Sequence, residues 1–189
     1  MTPRIHKLGY FSSPDRGLDI CLKLWPKVRE KYPDAELHIF YGWDTFDSAF
    51  ADNPERQGWK NKILELCKQP GIIQHGRVGK KALSEWQKNI GIWMYPTHFT
   101  EINCITALDC QSHGCVPVTM SLAALDETVQ SGVKLTCDIH DQECEDLYVK
   151  ELLDLMGNEE KWQEEQVKGT EFVKGYDWET IAKQWEAVL

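Results

Sequence analysis

The sequence predicts an α/β domain, a parallel sheet with helices on both faces followed by a helical tail. Three observations carry this reading. Short apolar runs alternate with longer amphipathic stretches up to about residue 140, which is the sequence sign of βαβ units. The loops after the runs, such as Ser12–Asp15, Trp43 to Pro54 and Gly76–Gly79, are rich in turn residues. Beyond about Asp141 only helical spacing remains.

In chain order, the first strand spans Lys7–Phe11, and Gly17 opens a helix that runs to Lys31. The second strand is Glu36–Tyr41, followed by the loop Trp43 to Pro54 and a helix over Glu55–Lys68. A third strand, Ile72–His75, leads through a glycine-rich turn to a helix over Lys80–Asn89. The fourth, Ile92–Tyr95, stops at Pro96, which cannot donate to a ladder, and helical spacing resumes at Asn103–His113. Strand Val116–Thr119, helix Leu122–Val129 and strand Val133–Leu135 complete a Rossmann-like order. The tail contributes helices over Glu143–Met156, Glu159–Lys174 and Trp178–Leu189, with Trp162, Trp178 and Trp185 as large anchors against the sheet or another domain. The chain therefore reads as one domain, residues 1–189, with an α/β core over about 1–140 and a helical tail over about 141–189.

Composition narrows the function. A formal net charge of -9 argues against attraction to nucleic acid or an anionic membrane surface. No run approaches the ~20 apolar residues that cross a bilayer, and no signal-peptide pattern opens the chain. The seven cysteines are an odd count, mostly inside apolar segments, and read as reduced, buried thiols in a cytoplasmic protein.

The segment Glu101-Ile-Asn-Cys-Ile-Thr-Ala-Leu-Asp109 carries the functional reading. Free amides from Asn103 to Thr106, at the start of a helix, form an anion site. Asp109 lies five residues past Cys104, roughly 7–8 Å along a helix axis, a spacing that suits a ribose beside a diphosphate. The pair also reads as a dipole-stabilised helix start plus one solvated acid, although Asp109 sits in an apolar stretch where a carboxylate wants a partner. After the first strand, Arg16 offers a planar cation to phosphate oxygens and Gly17 allows close backbone approach, or the segment simply caps a helix. Gln74-His-Gly-Arg77-Val78-Gly79 ends the third strand in a turn whose backbone can meet a nucleobase edge, with Arg77 in the site or solvated. His98 lines the same pocket or packs elsewhere.

Two groupings, Cys110/His113/Cys115 and Cys137/His140/Cys144, are weak candidates for a structural zinc, because neither contains paired C-x-x-C knuckles. No metal is assigned. No glycine-flanked elbow presents a serine, so covalent nucleophilic catalysis is not expected.

Tyr10-Phe-Ser-Ser-Pro-Asp-Arg16-Gly17-Leu with Trp25-Pro26, then Pro33-x-Ala35-x-Leu37-x-Ile39-x-Tyr41-Gly42, Gly76-x-Val78, Tyr95-Pro96-x-x-Phe99-x-Glu101 and Gly114-x-x-Pro117-Val118 resemble the C-terminal, donor-binding half of GT-B glycosyltransferases of the retaining "group 1" family. The match runs over nearly the whole chain. That family carries two glutamates separated by seven residues, and here the second is the shorter Asp109. The resemblance implies that Arg16 binds the diphosphate, Glu101 contacts the donor sugar, Asp109 accepts the ribose hydroxyls and the amides around Cys104 and Ile105 hold the distal phosphate. Gly17, Arg77, Val78 and Asn103 complete the implied donor-nucleotide site. A second basic residue common in the family has no counterpart in Tyr10 to Asp15 or Gly42 to Phe46.

The implied activity is metal-independent glycosyl transfer from a nucleoside-diphosphate sugar, with no other cofactor and with retention. The implied partners are that donor and an N-terminal acceptor domain or separate chain absent from these residues, through which peripheral membrane association could arise. Alone, the domain should bind nucleotide and turn over slowly or not at all. Two alternatives stay open: a nucleotide-binding module without catalysis, and an isomerase related to nucleotide-sugar epimerases.

Overall fold

The computed structural model describes residues 2–188. Six parallel strands form one sheet: β1 Lys7–Tyr10, β2 Glu36–Phe40, β3 Ile72–Gly76, β4 Ile92–Tyr95, β5 Val116–Met120 and β6 Val133–Leu135. Their order is β3-β2-β1-β4-β5-β6. The central strands β4 (Ile-Trp-Met-Tyr) and β5 (Val-Pro-Val-Thr-Met) are buried at every position, as strands covered on both faces must be. The helices are α1 Leu18–Lys31, α2 Asp44–Phe50, α3 Pro54–Leu66, α4 Lys80–Asn89, α5 Ile105–Ser112, α6 Leu125–Thr128, α7 Gln142–Met156, α8 Glu159–Phe172 and α9 Trp178–Glu186. Leu189, where the expected last helix ends, lies outside the described residues.

The strands step one way from β1 to β3 and the other way from β4 to β6. Right-handed crossovers then place α1 and α3 on one face and α4 and α5 on the other. The direction of strand addition reverses between β1 and β4, the topological switch point at whose carboxyl ends sheets of this class open a crevice. The tail closes both layers. Helix α7 joins α1 through Lys23–Glu145 at 2.5 Å and Lys27–Asp146 at 2.6 Å, while Tyr148 donates to the Val118 carbonyl at 2.6 Å. Helix α8 packs against α5 and β5, and Trp162 donates its indole N–H to Gly91 O at 2.9 Å. Helix α9 stands away from the body, with Trp178 90% and Trp185 64% exposed.

Local chemistry explains two features of these elements. Pro26 lies inside α1 and has no N–H for the Leu22 carbonyl. The Gln69 side chain donates to that carbonyl instead, at 3.0 Å. The stretch expected to be a loop between β2 and α3 contains α2, which buries none of its own residues. An aromatic cluster of Trp43, Phe46, Phe50 and Trp59 holds it in place.

The cysteine reading needs one correction. Cys137 and Cys144 form a disulfide with Cα atoms 5.7 Å apart, while Cys21, Cys67, Cys104, Cys110 and Cys115 are free and buried. The turn between β6 and α7 brings the pair within bridging distance, which spacing alone does not reveal. Among the described residues, no group of three His, Cys, Asp or Glu side chains converges as a metal site.

Beneath α4, buried His38 contacts His75 (Nδ1 to Nε2, 2.9 Å) and Glu36 (Nε2 to Oε2, 3.1 Å). Burial lowers the pKa of His38 despite Glu36, and burial together with His38 lowers that of His75. Both rings are neutral in the fold and take up protons more readily once unfolded. Stability is therefore retained above the unfolded value of about 6.5 and lost as pH falls below it. Thermal unfolding between pH 7.5 and 5 should show Tm falling with pH, and His38→Leu should flatten that slope. An unchanged slope would contradict this role.

Candidate functional site

The loops that leave β1 and β4 meet at the reversal point. After β1, Pro14–Arg16 forms a short 3-10 turn, and Gly17 then adopts φ +111° to start α1. A Cβ on Gly17 would lie 2.5 Å from the Pro96 carbonyl oxygen. The close approach that this glycine permits is to the loop after β4, so its part in the site is to bring the two loops together. Arg16 is thereby carried to Glu101, with Nη1 3.1 Å from Oε1 and 3.2 Å from Oε2. The guanidinium carbon lies over the Phe99 ring, 4.0 Å from its centroid.

Glu101 is buried, and Arg16 is about one-third exposed. Burial opposes the arginine's charge, but Glu101 and Tyr95 outweigh it and raise its pKa. The Tyr95 hydroxyl donates to Glu101 Oε1 at 2.7 Å and lies within hydrogen-bonding reach of Ser12 and Thr97. Burial, reinforced by Glu101, holds the phenol well above its ordinary pKa, so it remains a donor. The Ala124 N–H donates to the Glu101 carbonyl at 3.2 Å and fixes the backbone.

Helix α5 begins at Ile105, two residues later than its spacing suggests. The Ile105 N–H is spent on Asn103 O at 3.2 Å, while among the described residues no backbone carbonyl accepts from Asn103, Cys104 or Thr106. These three amides, rather than that of Ile105, remain for an anion. The entrance is open: Asn103, Ile102 and Ile105 are exposed, the last two at 96% and 63%. Cys104 forms the floor, its thiol pushed up to about 12 by burial and therefore no nucleophile at neutral pH.

Asp109 follows one turn into α5 and is exposed. Its carboxylate accepts no hydrogen bond among the described residues, and partial burial raises its pKa despite the charges of His113 and Lys80. His113 ties this turn of α5 to α4, with its ring between Ser84 Oγ at 2.6 Å and the Asp109 carbonyl at 2.7 Å. The Asp109 carboxylate also feels the charge of Lys80, at the start of α4 and just after the Gly76–Gly79 turn. Val78 is half-buried there. Arg77 does not join Arg16: it points outward, donates to Thr45 at 3.2 Å and lies over the Tyr41 ring. A cleft of about 120 Å³ at the carboxyl ends of β1, β2 and β3 is lined by Pro14, Leu18, Phe40, Gly42, Trp43 and Gly76, none of them a predicted site residue. A broader depression of about 1050 Å³ lies along α8, but Glu160, Glu164 and Glu171 line it and it contains no predicted site residue.

Sequence reasoning placed Arg16 and Glu101 together and missed what holds them. Tyr95 and Ser12 drew no attention as site residues, although Tyr95 stands at the carboxyl end of a strand, where this fold class gathers ligands. His98 packs against His140, ring centroids 5.0 Å apart, at the rim of the same loop.

No protein-family model matches the chain, and no curated protein does. Solved structures do. The pneumococcal O-GlcNAc transferase GtfA, in complex with UDP and GlcNAc, superposes with a TM-score of 0.73 at 13% identity, covering 98% of this chain and 35% of that one. Anabaena HepE in complex with UDP-glucose gives 0.74 at 14%, covering 97% and 48%. Sucrose-phosphate synthase from Thermosynechococcus elongatus gives 0.74 at 17%, covering 96% and 44%. The fold is one half of a GT-B architecture. The chain spans 35–48% of the length of these structures, and no helix among the described residues is long and apolar enough to cross a membrane.

Proposed function

We propose that this chain is the donor-binding half of a glycosyltransferase of the retaining, group 1 type and that it holds a nucleoside-diphosphate sugar in the crevice between β1 and β4. The observation that carries this reading is the Arg16–Glu101 contact at 3.1 Å beside the open start of α5. A guanidinium paired with a buried acid, amides without carbonyl partners at the start of α5 and a second, exposed acid one turn further along that helix are the kinds of group that a diphosphate, a sugar and a ribose require. The ligands named for GtfA and HepE, UDP, GlcNAc and UDP-glucose, belong to the same chemical class.

In this reading the bond between the anomeric carbon and the leaving phosphate breaks while an acceptor hydroxyl bonds to that carbon from the same face and passes its proton to the departing phosphate, and charge grows on the nucleoside diphosphate. Arg16 and the amides of Asn103, Cys104 and Thr106 meet that charge without a metal. Glu101 takes a hydroxyl of the sugar. Asp109 accepts from the ribose hydroxyls, and the turn through Arg77 and Val78 meets the base. An acceptor-binding half, in the same or another chain, covers the crevice from the side where Ile102 and Ile105 stand exposed, and α9 offers Trp178 and Trp185 to it. The compartment proposed is the cytoplasm.

One observation favours the second reading, a nucleotide-binding module without catalysis: Tyr10 to Asp15 and Gly42 to Phe46 contain no Lys or Arg, so Arg16 meets the diphosphate without a second cation from those loops. Equal affinity for free nucleoside diphosphate and its sugar conjugate, with no transfer once an acceptor half is supplied, would decide for it.

A thermal-shift panel of uridine, guanosine and adenosine diphosphates and their sugar conjugates tests the primary reading. A ligand present at about 100 times its Kd should add about 2.7 kcal/mol of stability. Asp109→Ala should weaken that ligand about 10- to 100-fold, the worth of hydrogen bonds to a charged acceptor. Lys161→Ala on α8 should change nothing. A shift that survives Asp109→Ala intact would remove the ribose assignment.

A further inference from the structure

We infer that Tyr95 is a positioning residue that fixes one oxygen of Glu101 so that the other is presented to the donor sugar when Arg16 turns to the diphosphate. The inference rests on the proposed function and deepens it. The two carboxylate oxygens of Glu101 are not equivalent. Oε1 accepts from the Tyr95 hydroxyl at 2.7 Å and from Arg16 at 3.1 Å, while among the described residues Oε2 accepts only from the same Arg16 nitrogen, at 3.2 Å. Arg16 is thus shared between two anions, the acid it already touches and the diphosphate it is proposed to bind. If the guanidinium held Glu101 alone, its departure would leave a buried carboxylate without orientation or compensation, which is costly. Tyr95 supplies both. It is fully buried, its ring stacks on Trp93 at 4.8 Å, and it lies beside Ser12 and Thr97, so the hydroxyl has little freedom to follow Arg16.

Exchange of Arg16 therefore frees Oε2 and leaves Oε1 anchored. The free oxygen can accept one hydroxyl from the sugar on the diphosphate side, a single hydrogen bond with a defined direction. Phe99 guides the exchange from the opposite side, because a guanidinium lying on a ring can slide across it while keeping that contact.

The test is Tyr95→Phe, which keeps the stacked ring and removes only the oxygen. Two readouts are needed. Calorimetry with UDP and UDP-glucose should show UDP affinity within about twofold of the wild type and the advantage of the sugar conjugate reduced about tenfold. In a Glu101→Gln background the same substitution should take nothing further from the sugar advantage, since Tyr95 acts through that carboxylate. A sugar advantage that survives Tyr95→Phe would overturn the inference, as would an equal loss in both backgrounds. Failure of the wild type to bind any nucleoside diphosphate in the panel would instead count against the proposed function.

Discussion

Arg16→Ala should raise the Kd for a nucleoside diphosphate by at least about 30-fold, which corresponds to about 2 kcal/mol. The size follows from the environment. The guanidinium lies over Phe99 on a shoulder of protein, two-thirds covered, so its hydrogen bonds to phosphate form where water competes poorly. Removing it also leaves Glu101 facing the incoming anion with only Tyr95 as a donor, which adds repulsion to the lost attraction. Stability should respond less than affinity, because one partner of the ion pair reaches solvent and its contribution is screened. Arg16→Lys should recover part of the binding, since a point charge replaces a planar fork. Titration calorimetry at fixed ionic strength checks the series. Unchanged affinity in Arg16→Ala would place the phosphate elsewhere.

The second large effect concerns the backbone. Gly17→Ala should destabilise the fold by about 2–4 kcal/mol, combining a left-handed conformation unfavourable to a side chain with a Cβ forced into the Pro96 carbonyl. For a chain of this size that amounts to a fall in Tm of about 5–15 °C. The neighbour in the way is backbone, so relief requires the loop after β4 to shift, and that loop carries Phe99 and Glu101. Nucleotide affinity should fall along with Tm, although position 17 contributes no side chain to the site. A variant with wild-type Tm and wild-type affinity would show that the two loops are not coupled through this glycine.

The residues that make these predictions possible were unevenly legible in the sequence. All six strands were legible, β4 and β5 most plainly because a strand buried on both faces must be largely apolar, and Pro96 marks where β4 ends. The β2–α3 connection hid α2 because a short helix without a buried face shows no periodicity of its own. Its order comes from aromatic side chains that meet only after folding. The Cys137–Cys144 pairing was equally hidden, since seven residues of separation fit many geometries.

At the site, residue type was enough to nominate Arg16, Glu101 and Asp109, because phosphate and sugar hydroxyls demand those groups. The hydrogen bond from Tyr95 to Glu101 was not readable, since it depends on a side-chain direction set by β4 and by the path of the following loop. Whether Arg77 faces a site or solvent was left open by its residue type, and its contacts with Thr45 and Tyr41 on the α2 side depend on a helix the sequence did not announce.

The most direct measurement is a binding cycle that compares wild type and Arg16→Ala, each titrated with a nucleoside diphosphate and the matching monophosphate. If Arg16 and the amides before α5 hold the distal phosphate, the wild type should favour the diphosphate at least tenfold, and Arg16→Ala should lose most of that preference. The same preference in both proteins would contradict the account, because the phosphate would then be read by groups other than those gathered between β1 and β4.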